Sequence, residues 1–212
     1  MELVEHRHGI AAPLVALTFD DGPSPWTEPI LAHLERHAAR ATFFAIGEAI
    51  DERGAAILRR IVDAGGEVGN HTYTHPRLTQ LTDAEVLEEM ARTTPLIEQA
   101  TGVRPLYWRA PYLERNDHLL ELIAPLGLQE IELSIVTADY AQSAEQTRDD
   151  VLGRIQPGDI VALHDGRNRR DGPTDSLPTR ENTVAAVALI LDGLAGRALR
   201  CVTVTELLAA AG

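Results

Sequence analysis

The sequence is short of cysteine, of long apolar runs and of positive charge, and each shortage excludes something. Among 212 residues there is one cysteine, Cys201. One thiol cannot close an internal disulfide, so the fold does not depend on one. Cys201 lies in the apolar run Leu199 to Val204 and reads as a buried strand residue. No window approaches the ~20 apolar residues of a membrane span. The opening residues Met1-Glu2-Leu3-Val4-Glu5-His6-Arg7-His8 lack the basic start and apolar stretch of a secretory signal. That predicts a cytoplasmic protein, or a secreted one whose leader has been removed. Nineteen Lys and Arg face 32 Asp and Glu, a formal net charge of −13. An anionic surface repels phosphates and acidic headgroups, so nucleic acid and membranes are not expected partners. The 16 Gly and 12 Pro are scattered, which excludes a collagen-like or disordered tract.

What remains is an ordinary globular composition, 44% hydrophobic and 24% charged. The length suits one sizeable core and is short for two domains. Short apolar runs alternate with amphipathic segments. Leu14 to Phe19, Ala41 to Ile46, Glu67 to Asn70, Leu106 to Arg109, Leu128 to Thr137, Ile160 to Leu163 and Leu199 to Val204 read as strands. Helices are expected over Glu28 to Ala39, Asp51 to Ala64, Thr82 to Ala100, Asn116 to Leu126, Thr147 to Ile155, Thr179 to Leu194 and Thr205 to Ala211. Thr82 with Glu85 three residues on is a capping-box pattern, and Gly102 ends that helix. The acidic Asp83, Glu85, Glu88 and Glu89 read as a solvated helix face. The βαβα alternation predicts an α/β fold, a parallel sheet covered by helices, closed into a barrel or open. In either case functional groups belong just past the C-terminal ends of strands.

Four of those ends carry reactive side chains: Asp20-Asp21-Gly22-Pro23, Asn70-His71-Thr72-Tyr73-Thr74-His75-Pro76, Arg109-Ala110-Pro111-Tyr112 and His164-Asp165-Gly166. Adjacent carboxylates are costly unless something cationic neutralises them, although a turn can also use Asp for its own hydrogen bonds. His71 and His75 have the spacing of a chelating pair, but Pro76 disfavours a helix there, so they form a looped pair or two surface histidines. His33 and His37 share the spacing on a better helix with no strand-end carboxylate, and read as a helix flank. One Asp with two His suits a catalytic zinc site or a non-haem iron centre. A second Asp favours the hydrolase, which needs a base. Arg109 facing two carboxylates is either an ion pair or a tuner of their chemistry. His164, Asp139 and Tyr140 gain meaning only together with the rest.

From Leu14 to Leu208 the chain resembles the polysaccharide deacetylase family, also called the NodB-homology domain or carbohydrate esterase family four. The resemblance lies in Thr18-Phe19-Asp20-Asp21-Gly22-Pro23, His71-Thr72-Tyr73-Thr74-His75-Pro76, Arg109-Ala110-Pro111-Tyr112, Leu163-His164-Asp165, the Thr183-Val184-Ala185-Ala186 helix and the ending Val202 to Leu208. It implies one catalytic domain over residues 1–212, a distorted (β/α) barrel of about seven parallel strands. It implies that Asp21, His71 and His75 bind one divalent metal, Zn²⁺ or a substitute such as Co²⁺. Asp20 would be the general base and Arg109 would orient it. His164 would be the general acid, paired with Asp139. The Tyr112 backbone N–H would hold the oxyanion. The implied activity is removal of acetyl groups from N-acetylated sugars: chitin oligomers, peptidoglycan or, for a cytoplasmic enzyme, a small N-acetyl sugar. Acetylated xylan is the neighbouring substrate, and a silent carbohydrate-binding protein the non-enzymatic alternative. The fourth motif departs from the family's Asp-x-x-Asp-Trp: Val136 and Tyr140 replace the first Asp and the Trp around Asp139. Arg167 to Asp175 looks like an insertion at the substrate rim.

Overall fold

The computed structural model describes residues 10–167 and 179–210. It is an α/β fold with every strand pair parallel. The strands are β1 (Leu14–Gly22), β2 (Thr42–Ala45), β3 (Glu67–Asn70), β4 (Tyr107–Trp108), β5 (Gln129–Glu130), β6 (Ile135–Val136), β7 (Ile160–His164) and β8 (Arg200–Cys201). Seven run in the order β5-β4-β3-β2-β1-β7-β6, and β8 pairs with the start of β1. The sheet curls into a half-barrel with β5 and β6 as its edges. The expected single strand over Leu128 to Thr137 is therefore two short ones. Residues 131–134 carry the chain from one edge to the other, so Ile131, Leu133 and Ile135 are buried without sharing one ladder. The expected strand over Leu199 to Val204 likewise narrows to two paired residues, because Thr203 already caps the last helix. The Arg167 to Asp175 stretch lies, beyond Arg167, outside the described residues.

The helices are α1 (Thr27–Arg36), α2 (Glu52–Asp63), α3 (Asp83–Thr101), α4 (Asp117–Ile123), α5 (Ala144–Arg154), α6 (Glu181–Gly196) and α7 (Val204–Ala209). Their starts follow local chemistry. Asp51 and Asn116 accept the N–H groups of Gly54 and Leu119, and Thr82, Ser143 and Thr203 each form a reciprocal capping box. Gly102 closes α3 in the left-handed region at φ 74°. None of the described helices is long and apolar enough to cross a membrane.

Strand parity sorts the core. Val15, Leu17 and Phe19 of β1 and Val161 and Leu163 of β7 pack outward with helix residues such as Leu31, Ile57 and Val187. Ala16, Phe44, Ile160 and Ala162 pack on the other face with Tyr107, Ile131 and Leu133. Burying each such Leu, Ile, Val or Phe contributes about 1.5–3 kcal/mol. By the same alternation Thr18 and Asp20 on β1, Arg109 after β4 and His164 on β7 belong to the inner face. The register places Asp20 directly beside His164 across the β1–β7 ladder.

Candidate active site

Strand alternation would send Asp21 to the face opposite Asp20. The backbone prevents this. The β1–β2 register slips between Asp20 and Gly22, and Asp21 takes φ 73°. Both carboxylates therefore stay buried at the same rim. Behind them the Asp165 side chain occupies the space where a Gly22 Cβ would stand and accepts a hydrogen bond from the Thr27 hydroxyl. Burial pushes the Asp165 carboxyl up to about 7; the Thr27 hydrogen bond opposes that, and the charges of Asp21 and Asp20 add to it. A Cβ at Gly166 would fall on the Asp21 carbonyl. We expect Gly166→Ala to destabilise the fold by about 1–3 kcal/mol, as overpacking does, and to weaken metal binding with it. Thermal melts with metal titration check this; an unchanged melting point and affinity would show that the turn has slack.

Arg109 is fully buried, and its Nη1 donates to Asp20 Oδ1 and Thr18 Oγ1, each at 2.7 Å. Its carbon Cζ stands 4.1 Å over the Phe44 ring. Its backbone carbonyl accepts from His71 Nδ1 at 2.9 Å. One residue thus orients the paired carboxylate and holds the His71 ring with Nε2 turned toward Asp21.

His71 Nε2 and His75 Nε2 lie 3.6 and 3.3 Å from Asp21 Oδ1. Ligand atoms from these three buried residues lie within 4.8 Å of one another, the one such cluster found among the described residues. Asp21 Oδ1 has no hydrogen-bond partner among them. Two ligand atoms about 2.1 Å from a tetrahedral metal stand about 3.4 Å apart, so the spacing and the N₂O donor set fit one divalent ion. Burial alone would raise the Asp21 carboxyl, but the His71 ring facing it and the charges of His75 and His164 hold it well below the usual range. Burial, helped by the charge of His71, lowers His75 to about 4 against the pull of Asp21 and Asp20. At neutral pH Asp21 is therefore ionised and His75 neutral. His33 and His37 gather no such set: they contact Arg36 and Asp192 on the surface.

His164 Nδ1 lies 2.7 Å from Asp139 Oδ1. Asp139 Oδ2 accepts from the His164 backbone N–H at 3.0 Å and from the Thr183 hydroxyl at 2.6 Å. Burial would lower His164, but the charge and hydrogen bond of Asp139, with Asp21 and Asp20 behind, raise it to about 9. Val136 in place of the family's first Asp leaves this pair intact. Tyr140 packs edge-on to His164 at 5.5 Å, and Tyr112 edge-on to His75 at 4.7 Å. Both rings are partly exposed and flank the cluster. Tyr112 sits at φ 57° directly after Pro111, which fixes the direction of its backbone N–H.

Five non-glycine residues on these loops lie in the left-handed region: Asp21, Thr72, His75, Tyr112 and Leu113. Each costs about 1–3 kcal/mol and persists only where surroundings hold it. All eight residues expected at the site thus meet at one rim. Thr18, Asn70, Glu89, Asp165 and Thr183 support them, although the sequence assigned none of the five a role at the site and put Glu89 on a solvated face. Parity could have revealed Thr18, two before Asp20. Glu89 lies three residues after the buried Val86 and four before the buried Thr93, at the edge of the helix's buried stripe. It is not part of a solvated face.

Residues 10–131 match the polysaccharide deacetylase family. Over 196 residues the chain is 36% identical to a chitooligosaccharide deacetylase of Sinorhizobium fredii, covering 90% of each. It is 32% identical over 200 residues to a bifunctional xylanase/deacetylase of Pseudobutyrivibrio xylanivorans, with 92% of this chain covered but only 30% of that longer protein. The structure superposes on peptidoglycan deacetylase PdaC from Bacillus subtilis with a TM-score of 0.81 at 29% identity, covering 93% of this chain and 90% of that one. With nine-tenths of its length aligned to such enzymes, the chain belongs to the polysaccharide deacetylase family.

Proposed function

We propose that this chain is a metal-dependent deacetylase of N-acetylated sugars, releasing acetate and a free amine. The observation that carries the reading is the meeting, at one rim, of an N₂O ligand set, a carboxylate held by Arg109 and a histidine held protonated by Asp139. Asp21, His71 and His75 would hold a divalent ion, Zn²⁺ by preference with Co²⁺ as a substitute, which would supply polarisation of the acetyl carbonyl and acidification of water. Asp20 takes a proton from the attacking water as the water's oxygen bonds to the acetyl carbon. The Tyr112 N–H donates to the carbonyl oxygen as negative charge builds there. His164 gives its Nε2 proton to the nitrogen as the C–N bond breaks. Acetate leaves with the water's oxygen; the proton on Asp20 and the water's second proton pass to solvent, and His164 is reprotonated from it. An amide needs the acid more than an ester does, because an amine anion is a very poor leaving group.

Chitin oligomers and peptidoglycan are the favoured substrates, in line with the names of the relatives. A small N-acetyl sugar fits the same site. The xylanase/deacetylase relative supports acetylated xylan as the second reading, in which the same residues cleave an ester. A silent binding protein is disfavoured because ligands, base and acid are all retained. The test is acetate release from N-acetylglucosamine oligomers and from acetylated xylan, after chelation and after return of Zn²⁺ or Co²⁺. We expect loss on chelation and recovery with metal, larger on the amide. Activity indifferent to chelation would sink the metal reading, and no release from any acetylated sugar would point to the silent protein.

A further inference from the structure

The loop that carries both histidines is held from one side by α3. Oε2 of Glu89 accepts the backbone N–H groups of Tyr73 and Thr74, each at 2.7 Å, and Oε1 accepts the Thr74 hydroxyl at 2.8 Å. These contacts fall between His71 and His75. Asn70 ties the start of the loop to the same helix: its Nδ2 donates to the Met90 carbonyl and to Thr94 Oγ1, and its Oδ1 accepts the Thr72 N–H at 2.8 Å. The His75 N–H closes onto Thr72 Oγ1 at 3.1 Å. α3 is itself anchored by the buried Val86, Met90 and Ile97. Within the loop Thr72 and His75 hold left-handed backbone, which relaxes unless something restrains it. Glu89 is thus a charged side chain that accepts two of the loop's N–H groups.

We infer that Glu89 is a positioning residue: by accepting the Tyr73 and Thr74 N–H groups it holds His71 and His75 at metal-binding spacing and so sets the affinity of the site for its divalent ion. The inference rests on the assignment of Asp21, His71 and His75 as the ligands. Charge-assisted bonds from a carboxylate to backbone N–H groups are stronger than neutral ones. Removing the carboxylate leaves two N–H groups without their acceptor and frees the loop to relax. The two imidazoles then have to be brought back together when the ion binds. Glu89→Gln keeps one oxygen for the N–H groups and turns an NH₂ toward the Thr74 hydroxyl, so it keeps the grip and loses only the charge assistance. Glu89→Asp keeps the charge but withdraws it from the loop.

The experiment is titration of Co²⁺ into chelator-stripped protein, followed by calorimetry and by the visible cobalt spectrum, with melting points of the metal-free forms alongside. Wild type, Glu89→Ala, Glu89→Asp, Glu89→Gln and His75→Ala are compared. We expect Glu89→Ala to weaken Co²⁺ binding about tenfold or more, as loss of a group that orients metal ligands does, with a changed spectrum. Glu89→Asp should fall between, and Glu89→Gln within about threefold of wild type. Should Glu89→Ala fail to fold, Glu89→Asp decides. Wild-type Co²⁺ affinity and spectrum in Glu89→Ala or Glu89→Asp, even with a lowered melting point, would show a merely structural residue and overturn the inference. Wild-type protein that binds no Co²⁺, or His75→Ala that binds it equally well, would instead overturn the ligand assignment and this inference with it.

Discussion

Asp20→Asn should lower kcat for acetate release by about 10²–10⁴-fold while leaving metal affinity and fold close to wild type. General base catalysis is worth about that much. The substitution isolates the base because an asparagine oxygen can still accept from Arg109 Nη1, whose 2.7 Å bond to Asp20 Oδ1 is the main anchor of that side chain. Asp20 is also outside the cluster of ligand atoms formed by Asp21, His71 and His75. Replacing Arg109 would be a poorer experiment, since removing one member of a buried ion pair costs about 3–5 kcal/mol and loss of activity would then follow from unfolding. Calorimetry with Zn²⁺ alongside acetate release separates the cases. An Asp20→Asn enzyme within about threefold of wild type, against the range expected for a lost base, would mean that another group takes the proton.

Asp139→Asn should move the alkaline limb of the pH–rate profile downward. The acid form of His164 is the protonated one, and with its pKa at about 9 that form dominates at neutral pH and is lost as the pH rises through about 9. Burial pulls this pKa down; the Asp139 charge and hydrogen bond, aided by Asp21 and Asp20, are what raise it. Without the Asp139 charge the value should fall to roughly the ordinary histidine value near 6.5 or lower. A drop to 6.5 alone reduces the protonated fraction at pH 8 by roughly 30-fold. The same pair has a stability signature. A raised histidine pKa stabilises the fold fully below the unfolded value near 6.5, and that contribution is lost as the pH climbs through about 9. Melting points of wild type and Asp139→Asn should therefore differ more at pH 6 than at pH 10. An alkaline limb unmoved in Asp139→Asn would remove His164 as the acid. The ester substrate should suffer less than the amide, because its alkoxide leaves more readily.

Much of the fold follows from local chemistry. Glu67–Asn70 is a strand over the expected residues, and α3 starts and ends where Thr82, Glu85 and Gly102 place it. Those signals depend only on side chains a few positions apart. The segment from Leu128 to Thr137 reads as holding one strand without definite bounds, and its apolar residues include Leu128, Ile131, Leu133 and Ile135. All four are buried, but the chain there crosses between the two edges of the sheet. Burial without a shared ladder is a property of the closed shape, and no local pattern reports it. The histidine pairs teach the same lesson. His33 and His37 have the better helical spacing, yet the looped His71 and His75 meet Asp21, because the parallel register brings the ends of β1 and β3 to one rim.

Which residues would be ligands, base and acid was implied by the resemblance to the polysaccharide deacetylases; by itself the sequence determined the α/β alternation and the reactive side chains at four strand ends. These depend on hydrophobic period and on residue type at strand ends, which the linear order carries directly. Only the tertiary structure decided that Asp21 joins Asp20 on one face, that Arg109 serves both Asp20 and His71, that Asp139 carries His164 to about 9, and that Glu89 grips the histidine loop. Each of these needs a left-handed backbone angle, a buried charge or a bond between residues far apart in the chain. Strain and burial of that kind exist only once the helices close over the sheet and exclude water.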